Sequence, residues 1–374
     1  MHYLRDLEGA GFIISKIKKS ERRRKPSAPF ITSTLQQETS RRLGYTARRA
    51  MMIAQQLYEG IDLGEGTVGL ITYMRTDSTN VAEVAVNEVR DFIKSTYGAS
   101  YLPESVPQYK TRAVSAQEAH EAIRPTSVLR QPEAVKQFLT PEQFKPYQLI
   151  WQRFVSSQME SAIYDTLSIE VTAKGKVHEY LFRASGSTVK FPGFLIVYEE
   201  TADEDKKADE PENIKIPAGL EEGQAQKLLR LIPEQHFTQP PPRYTEATLV
   251  QVLEEYGIGR PSTYAPILST IQQRGYVTRE AKRLFPTETG ILVNDMVVNH
   301  FPDIVNTKFT ANMEEELDQV AEGTPSPGGG SWSSPTRGST SSPPWCRSSG
   351  RPRRPGPWPP SRPSWSRAPA ACSC

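Results

Sequence analysis

From Thr324 to Cys374 the chain carries no Leu, Ile, Val, Met, Phe or Tyr, while twelve Pro and seven Arg crowd the same stretch. A segment of that composition cannot bury enough apolar surface to offset its conformational entropy. All folding is therefore expected within the body, Met1–Gly323, and residues 324–374 are expected to be disordered. The residue types of the tail are those favoured by G/C-rich codons, and the break comes just after the helix-like run Met313–Glu322. A shift of reading frame after Gly323 is the expectation, with a natural Arg/Pro-rich nucleic-acid-binding tail as the alternative.

The tail also disguises the charge. The net charge of +2 includes its seven Arg; without them 38 basic and 43 acidic residues remain, a body of net charge −5. Affinity for a polyanion would have to come from local basic patches. Cys346, Cys372 and Cys374 all lie in the tail. A disulfide framework or zinc–thiolate site in the body is thereby excluded, which fits a reducing compartment. No apolar run approaches the ~18 residues of a membrane span and the N-terminus has no signal-peptide core, so a cytoplasmic protein is expected. At 374 residues, two or three domains are expected.

Along the body, Phe12–Lys18 alternates like a strand, and the basic run Lys18–Lys25 reads as a solvated turn, with contact to phosphate as the alternative. Ser33 is expected to cap a helix running to Gly44, and Thr46 one across Met51, Met52, Ala54 and Leu57. A strand carrying Tyr73 follows a Gly-rich loop. Ser78 is then expected to cap a helix burying Val81, Val84, Val89, Phe92 and Ile93. Thr140-Pro141 opens a further helix. Period-two segments at Leu167–Thr172, Tyr180–Arg183 and Phe194–Tyr198 read as antiparallel strands, and the acidic stretch Thr201–Gly223 as a loop. Beyond Pro240–Pro242, helices are expected from Thr245, Ser262, Thr287 and Thr310, with a hairpin over Tyr276–Pro286.

Three segments suggest chemistry. In Ile71-Thr-Tyr-Met-Arg-Thr-Asp-Ser78, alternation of an extended backbone puts Tyr73 and Arg75 on one side. A phenol beside a guanidinium suits attack on a phosphodiester, the phenol as nucleophile and the fork holding the phosphate; an interfacial Tyr beside a surface Arg is the plain alternative. Ala119-His-Glu-Ala-Ile-Arg-Pro-Thr126 spaces His120 and Arg124 four apart, on one face if helical. Both can donate to phosphate oxygens, or His120 can be a structural hydrogen-bonder. Gly257-Ile-Gly-Arg-Pro-Ser-Thr-Tyr264 leads a Gly turn into a helix N-terminus bearing Arg260, Ser262 and Thr263. That is either an anion site suited to DNA phosphate or an ordinary capped helix.

Taken in order, KPSAPFITSTLQQ, ITYMRTDS, AHEAIRPT, YTEATLVQVLEEYGIGRPSTYAPILSTIQQRGYV and FTANMEEELDQVAEG resemble the bacterial type IA DNA topoisomerases over essentially the whole body. The resemblance implies that Tyr73 attacks a single-stranded DNA phosphate, forming a 5′-phosphotyrosyl link and releasing a 3′-hydroxyl. Strand passage and religation would follow without ATP, relaxing negatively supercoiled DNA. Arg75 matches the residue that holds the scissile phosphate and His120 one that positions DNA near it. Arg124 is carried with that segment, and Arg260, Ser262 and Thr263 fall in the motif that grips the single strand. Asp77 and Thr72 match neighbours of the nucleophile.

The implied fold is α+β and multi-domain, with helical domains joined by an antiparallel β-rich arch. The arch is expected at 1–31 and 161–240, the gate domain with Tyr73 at 32–160, and a strand-binding helical domain at 241–323. The family also implies Mg2+, held by the acidic cluster of an N-terminal Toprim domain. Nothing upstream of residue 26 matches that domain, so no metal ligand is assigned and the chain is expected to be a truncated core, inactive alone. A monomer acting on DNA, with no membrane partner, is expected. The rival reading is a non-catalytic single-stranded or winged-helix DNA-binding module built on Thr245–Pro286.

Overall fold

Two long strands pair early and late parts of the chain into the backbone of one sheet. In the computed structural model, which describes residues 2–64, 66–109, 120–200 and 219–321, β1 (Gly11–Arg24) follows the short helix α1 (His2–Asp6). It runs antiparallel to β4 (Ala162–Lys174), which pairs with β5 (Glu179–Phe191). A two-residue strand, β6 (Ala225–Gln226), completes the order β5-β4-β1-β6. The basic run is therefore mostly strand and not turn. Ser20 through Arg24 each face a residue of β4, and this ladder outweighs the repulsion among exposed cations.

Between β1 and β4 lie α2 (Thr32–Leu43), α3 (Ala47–Glu59), the small hairpin β2 (Ile61–Asp62) and β3 (Thr67–Val68), α4 (Glu83–Thr96), α5 (Pro132–Val135) and α6 (Pro141–Ser157). Thr46 and Thr140 cap α3 and α6 as their sequences foretell, each hydroxyl accepting from the amide three residues on. Two other caps differ. α2 starts at Thr32 with Ile31 as N-cap, so Ser33 lies inside the helix. α4 starts five residues after Ser78, whose hydroxyl instead accepts from the Asn80 amide. Val84 points to solvent; Ala85, Val86, Val89, Phe92 and Ile93 form the buried face. The segment Phe194–Tyr198 is not a strand either. Gly193, at φ 49°, starts a 3-10 turn through Ile196, which seats Phe194 and Tyr198 in two different cores.

The larger core gathers α2, α3 and α6 around Phe30, Leu57, Ile71, Met74, Ile123 and Tyr147. A second gathers α4 and the end of α6 around Phe92, Trp151 and Phe154, with Tyr164 of β4. After the sheet come α7 (Glu246–Glu255), α8 (Tyr264–Gln273), the hairpin β7 (Val277–Glu280) and β8 (Arg283–Pro286), α9 (Glu288–His300) and α10 (Thr307–Ala321). Thr245 and Thr287 cap α7 and α9 as expected, whereas α10 begins three residues before Thr310. α7 and α8 dock on α2 and α3: Tyr264, Ala265 and Leu268 bury against Ala47 and Met51, and Glu246 accepts from the Ala47 amide at 2.9 Å. The described residues form one mixed α and β unit. The tail from Thr324 and most of the acidic loop at 201–223 lie outside the described residues.

Candidate active site

The Tyr73 segment owes its shape to burial that alternates without a sheet. Ile71, Met74, Thr76 and Ser78 are buried; Tyr73 and Arg75 are exposed. Burying Ile71 and Met74 stabilises the loop by roughly 1.5–3 kcal/mol each, and this holds the two residues between and beside them at the surface. The segment is not the strand its sequence suggests: among the described residues a single bridge, Ile71 to Pro125, is its pairing of β type. Threonine hydroxyls stand in for a ladder. The Thr72 hydroxyl donates to the Ala122 carbonyl at 2.7 Å and accepts from the Arg124 amide at 3.0 Å, and the Thr72 amide donates to the Arg124 carbonyl at 2.9 Å. On the far side of Tyr73, the Thr32 hydroxyl reaches the Met74 and Thr76 carbonyls at 2.7 and 3.0 Å and accepts from the Thr76 amide at 2.9 Å.

Tyr73 is 39% exposed, and its ring meets the edge of Tyr58 at 5.4 Å between centroids. Among the described residues no hydrogen bond or ion pair engages the Arg75 guanidinium. The site thus presents a solvent-facing phenol and an uncommitted guanidinium two residues apart on a backbone pinned at both ends. Chemically, such a pair can place a nucleophile at a phosphorus and hold a phosphate oxygen beside it.

The segment 120–126 is not helical, because its backbone is spent on two neighbours. Ile123 donates to the Phe30 carbonyl and Thr126 to Leu70, at 2.8 and 3.0 Å. It therefore runs beside the Tyr73 loop, and Thr72 joins the two directly. His120 is half-buried at its start. Arg124 is committed: Nε and Nη2 bond Glu121 at 2.7 and 2.6 Å, and Nη1 bonds the Pro125 carbonyl.

The third segment is arranged differently from its sequence reading. The helix starts at Tyr264 with Thr263 as N-cap, in helical backbone and without a side-chain capping bond, so Ser262 is not the cap. The Thr263 hydroxyl accepts from the Arg260 amide at 2.7 Å, and Gly257 and Gly259, at φ 71° and 82°, shape the turn before it. The Arg260 guanidinium is held by Asp318 and Glu314 of α10. Asp77, four residues beyond Tyr73, is half-buried. Burial pushes the Tyr264 phenol up, with the charges of Glu254 and Asp77 adding to it.

Among the described residues no three His, Cys, Asp or Glu side chains converge as a metal-binding set. The described residues offer no ligand set for the Mg2+ that the resemblance implies. No helix of the described residues is long and apolar enough to cross a membrane. Sequence reasoning passed over Thr32. Its signal was the hydroxyl run Thr32-Ser33-Thr34 at a helix entry, which foretells capping and not a clamp on a loop 42 residues away.

Residues 1–328 match a family model described as DNA topoisomerase. The structure is similar to that of full-length topoisomerase I from Thermotoga maritima, with a TM-score of 0.70 and 37% identity over 84% of this chain. The chain spans about half of that protein, 49% of its length. A match over most of the chain and a close structural relative agree with the order of the three motifs: the chain belongs to the bacterial type IA DNA topoisomerase family.

Proposed function

We propose that the chain carries the strand-cleaving apparatus of a type IA topoisomerase, which relaxes negatively supercoiled DNA without ATP. The Tyr73 oxygen bonds to the phosphorus of a single-stranded segment as the bond from phosphorus to the 3′-oxygen breaks. The phenol proton passes to solvent, and the leaving 3′-oxygen takes a proton from it. Religation is the reverse: the 3′-hydroxyl attacks the phosphotyrosine and the phenol departs. One phosphodiester is exchanged for another, so no external energy source is needed. Arg75 holds the scissile phosphate and its developing charge. His120 and Asp77 flank the site. Arg124 reaches a neighbouring phosphate only by exchanging Glu121 for it, and Arg260, by exchanging Asp318, grips the strand beside Ser262 and Thr263. Regions 32–160, 241–323, and 1–31 with 161–240 serve as gate, strand grip and arch in a monomer acting on DNA in the cytoplasm.

The observation that carries this reading is that Tyr73 and Arg75 are the exposed residues of a loop whose Ile71, Met74, Thr76 and Ser78 are buried. The test uses 3′-end-labelled single-stranded oligonucleotides with sulfur in place of the 3′-bridging oxygen, stepped along the strand. A thiolate leaves without proton assistance, so only the nucleophile and its phosphate contact are assayed. Label should transfer covalently to the wild-type chain and not to Tyr73→Phe. Transfer to Tyr73→Phe would move the nucleophile elsewhere, and no transfer to the wild-type chain would overturn the cleavage reading.

A further inference from the structure

We infer that Thr32 is a positioning residue for the nucleophile, setting the spacing of Tyr73 and Arg75 through the loop that carries them; the inference rests on the cleavage proposed for Tyr73. Thr32 is fully buried, so it touches no substrate and acts only through its neighbours. It is the first residue of α2, a helix with eight buried residues, which gives it a rigid base. Its hydroxyl has one proton and two carbonyls within reach, Met74 at 2.7 Å and Thr76 at 3.0 Å. It also accepts from the Thr76 amide at 2.9 Å, while its own amide donates to the Thr76 carbonyl at the same distance. One residue thus satisfies three backbone groups that straddle Arg75 and follow Tyr73 directly.

Those groups need a partner. Met74 and Thr76 are 1% and 2% exposed, too dry for water to serve, and among the described residues no regular strand runs alongside the loop to serve instead. Buried amides and carbonyls left without partners drive local rearrangement. Upstream, Thr72 fixes the loop to residues 122–124; downstream, Thr32 is the anchor. Among the described residues Tyr58 is the aromatic neighbour of the Tyr73 ring, and no hydrogen bond to the phenol fixes its direction. The ring is carried by the backbone that Thr32 and Thr72 pin, so backbone errors pass on to the reacting oxygen.

The experiment compares Thr32→Val, Thr32→Ser and Thr39→Val in the full chain. Thr39 is a matched control: among the described residues its buried hydroxyl, on the same helix, bonds to the Leu35 and Gln36 carbonyls. Single-turnover transfer to the 3′-thio oligonucleotide is measured with equilibrium binding of the same strand. Misplacement of a reacting group by about 1 Å costs on the order of 10²-fold in rate. Thr32→Val should slow transfer about 10–100-fold at unchanged binding, with Thr32→Ser and Thr39→Val within about threefold of wild type. If Thr32→Val reacts as fast as Thr39→Val, or Thr32→Ser as slowly as Thr32→Val, the inference is wrong while the cleavage reading stands. If the wild-type chain transfers nothing, both fall. Should Thr32→Val not fold, amide hydrogen exchange in the wild type decides: the Thr76 amide should exchange as slowly as amides inside α2, and rapid exchange there overturns the clamp.

Discussion

The Arg260 guanidinium donates to the Asp318 carboxylate at 2.6 Å through Nη2 and at 3.1 Å through Nε, bringing α10 onto the turn that opens α8. Nη1 is taken up by the Gly257 and Gly259 carbonyls at 3.2 and 2.9 Å. The charge that the sequence offers to a phosphate is therefore already neutralised, and a DNA strand must compete with Asp318 for it. Asp318→Asn should tighten single-stranded DNA binding several-fold and steepen its salt dependence by about one phosphate contact. The gain should vanish in Asp318→Asn with Arg260→Ala, since the two act through one guanidinium. Fluorescence anisotropy between 50 and 200 mM salt, a range chosen on the general salt sensitivity of phosphate contacts, measures both. A gain that survives loss of Arg260 would show that Asp318 repels DNA by itself.

Glu200, four residues beyond the 3-10 turn, ties the chain there to α6. Its carboxylate pairs with Arg153 at 3.0 Å and accepts from the Ser27 hydroxyl at 2.8 Å. Burial works to raise this carboxyl, but the Arg153 charge and the Ser27 bond outweigh it and hold it below its ordinary value of 4.5. A depressed carboxyl stabilises the fold above its unfolded value, and that contribution is lost as pH falls through the folded value. Glu200→Gln should therefore lower the melting temperature most near neutral pH, by a few degrees, with the gap to wild type closing below pH 4.5. With 38% of the Glu200 side chain exposed, solvent screening limits the effect to about 1 kcal/mol. Melting curves across pH 3.5–7 check this (a window set by the ordinary carboxylate range); a gap that does not narrow in acid refutes it.

The hairpin of β7 and β8 turns through Ala281 and Lys282, both left-handed at φ 45° and 68°. A two-residue turn with positive φ twice over matches the twist of its strands but favours Asn-Gly. Side chains that resist this region cost roughly 1–2 kcal/mol per residue. Replacing Ala281-Lys282 with Asn-Gly should raise the melting temperature by about 2–4 °C, and no rise would mean that the contacts of Lys282 offset the strain.

What the sequence made legible is mostly local. Thr46, Thr140, Thr245 and Thr287 cap helices because a hydroxyl and an amide three residues away need nothing else. The alternation at Ile71–Thr76 paired Tyr73 with Arg75, and the structure exposes both, though without the strand the sequence suggested. The rest depended on partners far along the chain. The Lys18–Arg24 run became strand because β4 lies against it, some 140 residues on. Arg260 lost its free charge to a helix 58 residues later. The polar residues Gln36, Glu38 and Thr39 of α2 are buried, with Glu38 accepting from Tyr198 at 2.9 Å. Long-range pairing of polar groups leaves no periodic trace, and the candidate site is built largely from such pairs.

Arg75 bears the sharpest functional consequence. Its guanidinium is exposed, and no described residue bonds it, so substituting it disturbs little of the fold. In the proposed reaction its fork meets a phosphate whose charge grows as the Tyr73 oxygen approaches. Loss of one such donor typically costs about 10²–10³-fold in rate. Arg75→Ala should accordingly leave the melting temperature within about a degree, as expected of an exposed side chain free of special contacts. Strand affinity should fall by no more than one phosphate contact, and single-turnover adduct formation by about 10²-fold or more. Arg75→Lys should recover only part of the rate, because an ammonium keeps the charge but not the bidentate fork. Adduct rates and binding measured on the same oligonucleotide separate the two effects. A loss of rate that strand saturation fully restores would make Arg75 a binding residue alone, with Tyr73 relying on another group for its phosphate contact.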